Sequence, residues 1–254
     1  MYPRPQLKRE SFFLLNGQWD FAFDDENIGV LEGWSHTVRG DRKINVPFTY
    51  ETGKSGIGDE RPHGVIWYWK NITITNEFKK DQSIQINFEG CDYHLDLWVN
   101  GVYKGSHDGA YTRFAFELGK FAEGEEVLLS IRVEDPHSEE QVRGKQRWLS
   151  DNYGCWYVQT TGIWKDVWLE QVSDDYVEKI KITPDIYKKT VTIHTMCHSN
   201  KENLIMKSDV YFEGKFINSV SGKLEAGVCQ MDIDVYNKYV GECHCCLGAV
   251  ESFI

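Results

Sequence analysis

Period-two alternation of apolar residues runs along most of the chain and constrains what it can fold into more than any other feature. Ile84, Ile86 and Phe88; Leu95, Leu97 and Val99; Leu129, Ile131 and Val133; and Val167 with Leu169 each place apolar side chains on one face of an extended segment. Turn dipeptides separate these runs, at Glu89-Gly90, Asn100-Gly101 and Glu123-Gly124. Asn-Gly is the strongest of them, because both residues accept the positive φ that a tight hairpin needs. No stretch of about twelve residues carries a 3.6-residue period. The pattern predicts an all-β chain: a jelly-roll-type sandwich with Trp and Tyr filling the space between its sheets, then a smaller immunoglobulin-like sandwich, with little helix.

The tryptophans mark where the chain divides. All nine lie between Trp19 and Trp168, and the polar, acidic segment Gln171 to Glu178 that follows reads as a connection between two compact units. The first domain is expected over 1–172. Beyond it, Ile180 with Ile182, Val191 with Ile193, a hairpin at Glu213-Gly214, and Cys229, Met231, Ile233 and Val235 on alternate positions outline a second domain over 177–240. An immunoglobulin-like domain takes about seven strands and about 100 residues. Only about 80 residues remain here and the alternation dissolves after Val235, so the second sandwich is expected to be incomplete. Residues 241–254 read as a non-native tail.

Charge and cysteine usage narrow the function classes. Lys and Arg total 28 against 39 Asp and Glu, a net charge of −11 that repels nucleic acid and favours a neutral ligand. No run approaches the roughly 18 apolar residues of a membrane helix, and the first residues lack the apolar stretch of a signal peptide, so a cytoplasmic protein without a membrane partner is expected. Seven cysteines, with Cys243, Cys245 and Cys246 crowded near the end, are unlike a disulfide framework and read as reduced thiols. No cofactor is expected. Thr52 to Gly58 (TGKSGIG) ends like a phosphate loop, but Phe48 stands where that loop needs its first glycine. Cys243 and Cys246 with His244 offer half a zinc site, for which only Cys229, His194 and His198 could supply the rest; no metal is expected. Adjacent acids such as Asp24 with Asp25 and Glu139 with Glu140 read as solvated surface, and no G-x-S-x-G elbow is present.

Two aromatic segments are more informative. Trp67 and Trp69, in the segment from Arg61, read chiefly as core. The segment Trp148 to Tyr157 sets Trp148 and Trp156 beside Asp151 and Asn152, and divides evenly between core packing and sugar contact: flat rings stack on the C–H faces of a pyranose while polar neighbours bond its hydroxyls.

Several blocks, in order, resemble the amino-terminal part of the family 2 glycoside hydrolases, the group of β-galactosidases, β-glucuronidases and β-mannosidases. Leu15-Asn-Gly-Gln-Trp19-Asp-Phe21 is similar to the family's L-N-G-x-W-x-F, Val46-Pro47 to its V-P, Phe88-Glu-Gly-Cys-Asp92-Tyr to its F-x-G-V-D-Y, and Leu97-Trp98-Val-Asn100-Gly101 to its V-W-L-N-G. Gly105-Ser-His107-Asp-Gly-Ala-Tyr111-Thr-Arg-Phe114 follows, where Ala110 replaces the usual second glycine, then Arg143-Gly-Lys145-Gln146-x-Trp148 and Thr160-Thr-Gly162-Ile163-Trp164-Lys-Asp-Val167-Trp168-Leu169-Glu170. The resemblance implies a galactose-binding-like jelly roll over 1–172 and a β-galactoside or β-glucuronide as the carbohydrate partner.

In the family both catalytic glutamates sit on a (β/α)8 barrel of about 250 residues after the β-domains. The chain is expected to lack that barrel and to be inactive alone, so no residue inherits a catalytic role, Glu134 and Glu170 included. A loop before the T-G-I-W block reaches the edge of the sugar pocket in larger members, which makes Trp148, Asp151, Asn152 and Trp156 the candidate substrate-edge residues. Family members assemble through these domains, which implies a homo-oligomer. The ending LGAVESFI, shifted by one nucleotide, permits Trp-Glu-Pro-Leu-Asn-Pro-Leu-Tyr, similar to the W-x-P-x-x-P-x-L-Y that closes the family's second domain; a frameshifted tail is the expectation. The competing functions are a stand-alone carbohydrate-binding module and a scaffold or oligomerisation unit.

Overall fold

The computed structural model describes residues 3–4, 7–9, 11–136, 140–235 and 249–253. The chain forms two compact units, one of residues 1–3 with 9–171 and one of residues 4–8 with 172–254. The first contains β1 (Phe12–Leu14), β2 (Gly17–Phe23), β3 (Arg42–Val46), β4 (Val65–Thr73), β5 (Ser83–Phe88), β6 (Cys91–Asp92), β7 (His94–Val99), β8 (Val102–Asp108), β9 (Phe114–Gly119), β10 (Glu126–Glu134), β11 (Gly162–Ile163) and β12 (Val167–Val172). They form a six-stranded sheet in the order β3-β2-β4-β10-β7-β8, a four-stranded sheet β1-β12-β5-β9 and a short ribbon β11-β6. A sandwich results, and no α-helix is found among the described residues.

Alternation decides which side chains fill it. Phe21, Ile66, Tyr68, Leu97 and Ile131 from the six-stranded sheet join Ile84, Ile86, Phe88 and Leu169 from the four-stranded sheet in one buried cluster. The expected hairpin at Asn100-Gly101 joins β7 to β8, with φ of 50° and 80° at its two residues, and the Asn100 carboxamide accepts the Leu128 amide at 2.8 Å.

Trp67 and Trp69 are core residues as expected, but the tryptophans do not all fill the space between the sheets. Trp19 lies in the cluster between the sheets, whereas Trp67 and Trp69 pack on the outer face of the six-stranded sheet with Trp34, Trp98 and Leu128. The sequence 24–38 makes this possible by folding over that face. The Asp24 carboxylate accepts the amides of Ile28 at 2.8 Å and Gly29 at 2.9 Å and the Trp67 indole N–H at 2.9 Å. The Trp34 carbonyl accepts the Trp69 indole N–H at 2.8 Å, and the Ser35 carbonyl accepts the Ser130 hydroxyl at 2.9 Å. Val65 to Trp69 is therefore buried at every position, as in a strand covered on both faces.

Distant motif blocks meet in this unit. The Asn16 side chain donates to Asp166 at 2.6 Å and accepts the Val167 amide at 3.2 Å, and Trp164 donates its indole N–H to the Ala110 carbonyl at 2.9 Å. Gly162 has a φ of +94°, and a Cβ there would fall on the Tyr68 hydroxyl, so this position of the T-G-I-W block admits only glycine.

The second unit contains β13 (Tyr176–Asp185), β14 (Thr190–His198), β15 (Ile205–Phe212), β16 (Lys215–Lys223), β17 (Val228–Asp234) and β18 (Ala249–Phe253). Two three-stranded sheets, β13-β14-β17 and β16-β15-β18, make a smaller sandwich. Between β12 and β13 only residues 173–175 lie outside strands, so the connection is shorter than its polarity suggests. Of the segment read as a tail, 241–248 and 254 lie outside the described residues, while Ala249–Phe253 pairs antiparallel with β15. Cys229 lies opposite Thr195, and both are buried. His194 and His198 alternate onto the other face of β14, so they cannot converge with Cys229 on one ion. The cysteines at 243, 245 and 246 lie outside the described residues.

Candidate functional site

The connection from β10 to β11 carries the candidate residues, and a small ribbon gives it shape. The Tyr157 amide donates to the Lys145 carbonyl at 3.0 Å and the Arg147 amide to the Tyr157 carbonyl at 2.6 Å, while the Trp156 amide closes a turn onto the Tyr153 carbonyl at 2.9 Å. On this ribbon the Trp148 ring meets Trp156 edge-on at 4.7 Å and Tyr153 at 5.6 Å.

A buried guanidinium holds the ribbon in place. Arg147 donates to the Gln159 carboxamide at 3.0 Å, the Asn152 carboxamide at 3.2 Å and the Glu60 carbonyl at 2.9 Å, and Gln159 donates to the same carbonyl at 2.9 Å. Charge-assisted bonds of this kind fix a loop that has little secondary structure of its own. The structure thus brings Trp148 and Trp156 together and uses Asn152 as an anchor for Arg147. Asp151 stands apart and exposed, accepting the Ser150 hydroxyl at 3.1 Å.

Next to the ribbon lies a buried polar network that the local sequence does not announce. Gln146 donates to Asp92 at 2.7 Å and accepts the Thr160 amide at 2.9 Å. Asp135 accepts the Thr161 hydroxyl at 2.7 Å and the Gln141 carboxamide. Burial, with the Asp135 charge behind it, pushes the Asp92 carboxyl up to about 7. Glu51 is buried too: among the described residues neither carboxyl oxygen has a hydrogen-bond partner, and desolvation pushes its pKa up to about 8 despite the Thr49 and Thr161 hydroxyls nearby. Desolvation likewise raises Tyr50 and Tyr68. A Cβ on Gly144 would lie 3.0 Å from the Tyr111 hydroxyl and 3.6 Å from that of Tyr157, so these two hydroxyls converge above Gly144.

Tyr111, Asp92, Gln146 and Arg147 were therefore missed as site residues, although the first three stand inside recognisable motif blocks; the signal was their membership of three blocks that only the fold brings together. The arrangement can present flat apolar rings and, beside them, fixed hydrogen-bonding groups, the two requirements of pyranose recognition. The TGKSGIG segment does nothing comparable: Gly53–Ser55 is one turn of 3-10 helix, and the Ser55 hydroxyl is spent within its own loop on the Thr52 carbonyl at 2.7 Å and the Ile57 amide at 3.0 Å.

Comparison with known proteins identifies the family and the fold. Residues 12–173 match the family model described as glycosyl hydrolases family 2, sugar binding domain. A β-galactosidase of Thermoanaerobacterium thermosulfurigenes is 27% identical over 213 residues, covering 82% of this chain and 28% of that protein. A β-glucuronidase of Paenibacillus borealis is 23% identical over 246 residues, covering 91% of this chain and 41% of that protein. Among solved structures, the Bifidobacterium dentium β-glucuronidase complexed with coumarin-3-O-glucuronide matches at a TM-score of 0.69 and 18% identity, over 90% of this chain and 43% of that one. That likeness is one of fold, and the chain spans less than half the length of each of these proteins.

Proposed function

The chain belongs to glycosyl hydrolase family 2, and on that premise we propose that it is the non-catalytic front of a β-galactosidase- or β-glucuronidase-like enzyme. Its first domain lends the Trp148–Tyr157 ribbon to the edge of a sugar pocket and braces the barrel that carries the catalytic carboxylates. One observation supports a ligand-facing role over simple packing. Trp148 and Tyr153 are 39% exposed, Tyr157 49% and Tyr111 52%, although the backbone beneath the ribbon is fixed by the buried Arg147 and Gln146. Large rings held rigidly in solvent lose little entropy when a sugar stacks on them.

Two measurements on the full chain test this. Nitrophenyl β-galactoside and β-glucuronide are expected to hydrolyse no faster than in buffer. Methyl β-glucuronide or methyl β-galactoside is expected to shift the amide resonances of residues 145–157 saturably, and Trp148→Ala to abolish those shifts. Turnover above the buffer rate, or shifts that survive Trp148→Ala, overturns the proposal.

A further inference from the structure

The segment 24–38 covers only part of the outer face of the six-stranded sheet. It lies over Trp67 and Trp69, reaches Ser130 and Arg132 and sets His36 against Gly101 in the β7–β8 turn, but the outward side chains of β8 remain in contact with solvent: Tyr103 is 52% exposed, and Ser106 and Asp108 are exposed as well. The register sets these side chains in rows, with Arg132, Asp96 and Ser106 in one, and Ser130, Trp98 and Tyr103 in the next.

Aromatic and charged groups alternate across this open face. Trp98 stacks on Trp67 at 5.4 Å with 24° between the planes, and the Tyr103 ring stands 5.4 Å from Trp98 at 58°. Asp96 accepts the Tyr103 hydroxyl at 3.1 Å and lies 3.4 Å from both Arg132 and His94. His94 is 2.8 Å from Asp108 through its other ring nitrogen. Arg132 also reaches Asn27 at 3.0 Å and Glu134 at 2.6 Å. It is only 6% exposed, and its Nε has no hydrogen-bond partner among the described residues.

We propose that this β7–β8 face is a second carbohydrate site, separate from the Trp148 ribbon, that takes a neutral pyranose unit. The exposed Tyr103 ring and the edge of Trp98 offer apolar surface to sugar C–H groups, the solvent-accessible side chains of His94, Ser106 and Asp108 offer hydrogen-bonding groups to its hydroxyls, and the buried Arg132 holds Asp96 and Glu134 in place beneath them. Three carboxylates, Asp96, Asp108 and Glu134, face the one guanidinium and His94, so a uronate would meet net repulsion that a neutral sugar does not. The assignment does not depend on the proposed role of the ribbon.

Resonance titration of the full chain with methyl β-galactoside, methyl β-glucoside and methyl β-glucuronide separates the two sites. At least one neutral glycoside is expected to shift the amides of residues 95–107 saturably, and the glucuronide to leave them unmoved. Tyr103→Ala is expected to weaken that binding by about three- to tenfold, the usual worth of one aromatic contact. Tyr103→Phe, which keeps the ring, is expected to retain it, and Trp148→Ala to leave it unchanged. Absence of saturable shifts on β7 and β8 with both neutral glycosides, equal binding of the glucuronide there, or indifference to Tyr103→Ala overturns the proposal. A failure confined to residues 145–157 would count against the ribbon alone.

Discussion

Replacing Glu51 by Gln is expected to stabilise the first domain near neutral pH, and by an amount that depends on pH. In the unfolded chain the carboxyl ionises near its ordinary 4.5; in the folded domain burial pushes it up to about 8. Between those values the folded state retains a proton that the unfolded state has released, so stability is full below the unfolded pKa and falls as pH rises. The slope approaches about 1.4 kcal/mol per pH unit, and the loss stops growing above about pH 8. At pH 7 the accumulated penalty is about 3 kcal/mol. Gln carries no such term. Its amide must still find partners in a site where the carboxyl has none among the described residues, with Thr49 and Thr161 beside it, which trims the net gain to about 1–3 kcal/mol. Urea denaturation followed by tryptophan fluorescence reads the first domain selectively, because all nine tryptophans lie within it. Asp92, raised to about 7, titrates in parent and variant alike and largely cancels from their difference. The stability gap is expected to widen steadily from pH 5 to pH 8 and then level off. A gap that does not change with pH refutes the assignment of a protonated, unpartnered Glu51.

Gly162→Ala combines a positive φ with a clash on the Tyr68 hydroxyl and is expected to cost about 3 kcal/mol or more in the same denaturation experiment, part of it recovered by adding Tyr68→Phe; a loss under about 1 kcal/mol would contradict the close approach. Deleting residues 249–254 strips β15 of the strand paired along Lys207–Tyr211. Hydrogen exchange is expected to show faster exchange at β15 amides, and unchanged protection would mark the segment as foreign to the fold.

The fold was legible where one face of a strand is wet and one is dry. Leu95, Leu97 and Val99 point inward as their alternation implies, and the same alternation sends Trp98 outward. It failed to describe Val65–Trp69, because a strand covered on both faces no longer alternates, and the cover comes from 24–38, whose role rests on one Asp24 carboxylate taking three donors. The ribbon was visible as a concentration of rings. Its support was not: Arg147 and Gln159 meet the Glu60 carbonyl across sequence separations of 87 and 99 residues, and no local pattern encodes such a partnership. The raised pKa of Glu51 is likewise a product of burial and leaves no trace in the residues around it.

The pairing of β12 bears on how this chain is made. β12 lies between β1 and β5 in its sheet, so Phe13, in the first strand of the domain, waits for its partner Leu169 until nearly the whole domain has been synthesised. Local hairpins such as β7–β8 can form early, but the four-stranded sheet stays split, with β1 and one edge of β5 exposed, until the T-G-I-W block and the strand after it arrive. Such non-local closure makes for slow folding and a long interval in which bare strand edges can capture other chains. A nascent chain stalled before residue 167 would hold eleven of its twelve first-domain strands and still be unable to close, which makes that interval the point at which chaperone dependence and proteolysis of this protein concentrate.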